Sequence, residues 1–117
     1  MIGSDSDFTQ ISFHEAGLVG LSHVDHTVNL ELEGVFVAGV LKAAEVSIEK
    51  VTSVVRNELP ISHFRMEKRD AEVLTIREEN DHVAIAVQWD DYAAKTHEVV
   101  AYILNGPNVE LRVTFPA

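Results

Sequence analysis

His82-Val83-Ala84-Ile85-Ala86-Val87-Gln88-Trp89 alternates large apolar residues with small or polar ones. Side chains on an extended chain point to opposite faces in turn. Val83, Ile85, Val87 and Trp89 therefore share one face, and His82, Ala84, Ala86 and Gln88 the other. A period of two over eight residues predicts a strand with one dry and one wet side, as antiparallel sheets have. Val109 to Phe115 repeats the pattern, with Glu110, Arg112 and Thr114 outward. Thr27 to Glu33 repeats it again, placing Val28, Leu30 and Leu32 inward and Asn29, Glu31 and Glu33 outward.

Working outward, further strands are expected at Phe8 to Phe13 and Leu18 to His23, joined through His14-Glu15-Ala16-Gly17, and at Ile61 to Lys68 and Ala71 to Glu78. Thr96 to Leu104 is apolar on both faces, so it should be covered on both. Glu79-Asn80-Asp81 and Asn105-Gly106-Pro107-Asn108 carry turn chemistry. The segment from 40 to 56 supports two readings. Leu41, Ala44, Ile48, Val51 and Val55 have the spacing of a helical stripe. Val46, Ile48, Val51, Thr52, Val54 and Val55 are β-branched, which suits a pleated sheet better than a helix. Strands at Val40 to Ile48 and Val51 to Arg56 are the preferred reading. The total of nine to ten short strands predicts an all-β fold, an antiparallel β-sandwich or small barrel, with α+β and one helix near 40–56 as the alternative. Residues 1–7 are expected to form a disordered tail and 8–117 one β domain.

The chain has 117 residues and no cysteine, which removes thiol nucleophiles, zinc–thiolate centres and disulfides. Met1 to Asp7 has no basic region or apolar run and does not read as a signal peptide. The longest apolar stretch, Val35 to Leu41, is too short to span a bilayer as a helix. A cytoplasmic protein is expected. Nineteen acidic against nine basic residues give a formal charge of −10. Met1 to Leu41 holds no Lys or Arg but six acids, Asp5, Asp7, Glu15, Asp25, Glu31 and Glu33. Such a field repels phosphate backbones and anionic lipid, so neither nucleic acid nor a membrane is an expected partner. A basic protein partner fits the sign.

No Gly-x-Ser-x-Gly elbow, Walker loop or dinucleotide motif is present, and no catalytic residue or cofactor is expected. Six histidines offer metal-ligand chemistry. His23, Asp25 and His26 lie together at an expected turn, yet an ion needs three or four converging donors, and the third would come from a distant strand. They are weak candidates, and no metal site is expected. Trp89-Asp90-Asp91-Tyr92 reads either as the cap of the core or as an aromatic and acidic contact site for a cationic partner. His63 and Arg65 are the candidates for an inward-facing pocket. Gly34 to Leu41 reads as a central strand or, at an edge, as a route to a homodimer.

Three functions follow as expectations. The first is a non-enzymatic protein-interaction module acting through its acidic surface, of which an immunity-type antagonist of a basic toxin is one concrete version. The second is a small-ligand binder or enzyme with a pocket between sheets. The third is a structural subunit of a homo-oligomer.

Overall fold

The computed structural model describes residues 11–116 as ten strands. They are β1 Ile11–Ser12, β2 Ala16–Val24, β3 Thr27–Val37, β4 Val40–Glu49, β5 Ser53–Arg56, β6 Leu59–Ile61, β7 Asp70–Glu78, β8 His82–Asp91, β9 Thr96–Asn105 and β10 Glu110–Thr114. No helix among the described residues is long and apolar enough to cross a membrane. The expected tail over 1–7, and residues 8–10 of the expected first strand, lie outside the described residues.

All pairings are antiparallel, in the order β10-β4-β3-β2-β7-β8-β9-β5-β6, with β1 added to β3. The sheet has a narrow waist, because β2 and β7 share only the pairs Ala16↔Val73 and Gly17↔Glu72. The waist separates a half made of β10, β4, β3, β2 and β1 from a half made of β7, β8, β9, β5 and β6. Val28, Leu30, Leu32, Val46 and Ile48 of the first half join one buried cluster with Val83, Ile85, Val87, Trp89, Val100 and Leu104 of the second. Burying each such side chain contributes about 1.5–3 kcal/mol, which favours folding the halves onto one another. The result is sandwich-like and open, since β10 and β6 end the strand order unjoined.

The alternation that defined β8 appears in its burial: Val83, Ile85, Val87 and Trp89 are all at 2% exposure or less. The helix alternative is overturned, because residues 40–49 and 53–56 are extended and β4 pairs with both β3 and β10. Gly34 to Leu41 is a hairpin rather than one strand. Val37 pairs with Val40 across Ala38-Gly39, so the apolar run turns back on itself. The linker His14 to Gly17 is shorter than expected, with Ala16 and Gly17 already in β2. β9 lies inside the sheet between β8 and β5, but only its Val100, Tyr102 and Leu104 face is buried. Val99 on the other face is 53% exposed.

The expected strand from Ile61 to Lys68 ends at Ile61. Its continuation cannot pair, because the chain must travel from β6 at one edge of its half back to β7 at the other. Residues 62–69 make that crossing as a loop and drop Phe64 into the core at 1% exposure. The phenyl ring stacks on Tyr102 of β9, centroid to centroid 4.2 Å at 21°.

Candidate functional site

The crossing loop, with β6 and the end of β5, forms one wall of a cleft of about 510 Å³ lined by Arg56, Ile61, His63, Arg65 and Glu67 among others. Arg56 ends β5 on the inward face, opposite Tyr102 of β9. Glu67 arrives on the loop and is held by both: Arg56 Nε donates to its Oε2 at 2.8 Å and Nη2 to its Oε1 at 2.7 Å. Tyr102 Oη donates to Glu67 Oε2 and accepts the indole N–H of Trp89 at 2.9 Å. A polar chain thus runs from the buried indole through Tyr102 and Glu67 to the guanidinium in the cleft.

The electrostatics suit this order of donors. The Arg56 hydrogen bonds, set against desolvation, hold the Glu67 carboxyl below its ordinary range, so it accepts as a carboxylate. Burial, and then the hydrogen bond to Glu67, push the Tyr102 phenol well up, so it remains a neutral donor. Arg56 also approaches Glu98 Oε1 at 3.7 Å.

On the other side of the loop, the Phe64 N–H donates to His23 Nδ1 at 3.0 Å. An accepting Nδ1 leaves the proton of the neutral ring on Nε2. Burial, and then the neighbouring His63, lower the His23 pKa from its ordinary value. The two imidazoles meet edge to face with centroids 5.1 Å apart. His63 and Arg65 therefore flank a residue anchored by both its ring and its backbone. The sequence placed them on a strand; they sit on the loop and line the cleft.

His23, Asp25 and His26 are not gathered. His23 Nδ1 is committed to Phe64, and His26 Nδ1 lies 3.0 Å from the Val51 carbonyl. No group of three metal-ligating side chains converges among the described residues. The Trp89 to Tyr92 set is divided. Trp89 is 1% exposed, so it cannot serve as the contact residue that one reading made it, because its place in the alternation turns it inward. Asp90 accepts from Gln88 Nε2 at 3.1 Å, Asp91 lies 3.7 Å from Lys68 Nζ, and Tyr92 is 70% exposed.

A second surface lies on the outer face of the first half. Glu31 of β3 stands directly opposite Glu45 of β4. Glu33 and Glu72 sit on either side of Gly17. None of these four carboxylates forms an ion pair among the described residues. Toward the hairpin tip the same face carries the cross-strand pair Phe36↔Leu41, 45% and 60% exposed.

Sequence reasoning did not single out Arg56, Glu67, Tyr102 or Glu45. Glu67 had a signal, being the lone acid within Arg65-Met66-Glu67-Lys68-Arg69. Compared with known proteins, the chain matches no family model, no curated protein and no solved structure.

Proposed function

We propose that this domain is a non-enzymatic binding module that receives a basic protein on the outer face of β2, β3 and β4. The observation that carries the reading is the Glu31↔Glu45 pair, two like charges directly opposed with no ion pair to either among the described residues, beside exposed Phe36 and Leu41. Like charges at this spacing work against the sheet. A partner that sets Lys or Arg over the two carboxylates removes that repulsion, and an apolar side chain on Phe36 and Leu41 adds area removed from water. The charge of −10 on the whole molecule adds long-range attraction for the same partner.

The test is affinity capture from native lysate at low and high salt, run in parallel with the Glu45→Lys variant. Support is a basic protein retained by the parent domain, released by salt and lost from the variant. Equal retention by both, or capture insensitive to salt, refutes the reading.

A further inference from the structure

We infer that the cleft between β6 and the crossing loop binds a small organic anion, one that presents a carboxylate or phosphate group to Arg65 and His63. The site is separate from the acidic face and does not depend on it.

The first support is local charge. On a molecule of charge −10, the lining of this cleft gathers two arginines and a histidine against one carboxylate, Glu67, with Glu98 reaching only Arg56 from outside the lining. That carboxylate is fully engaged, with both oxygens bonded to Arg56 and one also to Tyr102. It cannot also neutralise Arg65. Arg65 is exposed and forms no ion pair among the described residues. A guanidinium offers a planar fork of donors that matches carboxylate and phosphate oxygens.

The second support is preorganisation. His63 and Arg65 are the two neighbours of Phe64, whose ring is stacked under the core and whose N–H is held by His23. The backbone carrying both donors is fixed before a ligand arrives, which reduces the ordering cost of binding. The volume of about 510 Å³ falls within the range of small-molecule sites. Arg56 is already committed to Glu67 and approaches Glu98 at 3.7 Å, which leaves Arg65 as the guanidinium of the lining that an anion would engage.

The experiment uses the one tryptophan of the chain. Its indole N–H bonds Tyr102, and through Glu67 it connects to Arg56 in the cleft. The ¹⁵N-labelled domain is titrated with inorganic phosphate, with acetate in a second arm, and with chloride at matched ionic strength. The expected result is a saturable shift of the Trp89 indole and of the 62–66 amides with phosphate or acetate, and none with chloride. Whichever anion binds more tightly identifies the head group. Losing one charge-assisted contact costs about tenfold in affinity, so Arg65→Ala is expected to weaken binding by about that factor. Arg65→Lys, which keeps charge and loses the fork, is expected to fall between. Glu45→Lys leaves this titration unchanged and so separates the site from the acidic face. No saturable shift with either anion, the same shift with chloride, or an Arg65→Ala variant that binds like the parent overturns the inference.

Discussion

Tyr102 serves two partners through one oxygen, accepting from Trp89 and donating to Glu67. Tyr102→Phe keeps the ring that stacks on Phe64 but leaves a buried indole N–H with no acceptor. An orphaned buried donor costs about 1–3 kcal/mol. The variant's urea midpoint is expected to fall accordingly at unchanged slope, read by Trp89 fluorescence. His23 gives a pH signature. Burial lowers its pKa in the fold, so on acidification the unfolded chain takes up the proton first. This contribution to stability is intact above about pH 6.5, the ordinary histidine value, and is lost as pH falls below it toward the folded value. Glu67 adds a separate loss at lower pH, because its folded pKa is depressed and its pairing with Arg56 fails as the carboxylate is protonated. Urea midpoints between pH 8 and 5 are expected to decline in the parent and to flatten in His23→Asn, which retains an acceptor for the Phe64 N–H. At this scale the sequence was half legible. Alternation placed Trp89 on the dry face, but Arg56, Glu67 and Tyr102 come from three separate segments, and no local pattern announces their meeting.

Two hairpins carry residues in backbone conformations that suit other side chains. Ala38-Gly39 links β3 to β4 with φ of 51° and 84°, and Asn57-Glu58 links β5 to β6 with φ of 47° and 71°. Left-handed φ at both central residues marks a type I′ turn, whose twist suits the strands and whose preferred sequence is Asn-Gly. Each turn has half of that preference. Left-handed backbone costs an ordinary residue about 1–2 kcal/mol, and glycine's freedom in the unfolded chain offsets about 0.4–1 kcal/mol of the relief. Glu58→Gly and Ala38→Asn are each expected to stabilise by about 0.5–1 kcal/mol, seen as raised urea midpoints. The same chemistry explains what could be read in advance. Asn57 is of a residue type that tolerates left-handed turn positions, whereas Ala38 inside an apolar run gave no sign that Val35 to Leu41 doubles back. The crossing loop was unreadable for a different reason. Only the strand order shows that residues after Ile61 must traverse the sheet instead of extending it.

Across the molecule's outer face, Glu31 and Glu45 oppose each other with no ion pair to offset them among the described residues. If the opposed Glu31 and Glu45 are kept for a partner, replacing one with a cation should help the isolated domain while harming recognition. Glu45→Lys is expected to stabilise by about 0.2–1 kcal/mol through a new cross-strand pair, with added salt narrowing the gap from the parent. A variant that is less stable than the parent at low salt contradicts this account of the acidic face. The all-β architecture was legible because alternation recurs in β3, β8 and β10. The face itself was legible only in part, since outward Glu31 and Glu33 could be read from β3 but their opposition to Glu45 needs the register.

The strand order also has a consequence during synthesis. β4 receives its outer neighbour, β10, from residues 110–114, after the entire second half has been made. A ribosome delivers the chain from its N-terminus, so nascent β4 waits with one row of amides and carbonyls bare through the translation of some sixty intervening residues, 50–109. Chains that stall or are clipped before residue 110 would expose that row permanently, and they are the species from which intermolecular strand exchange should start.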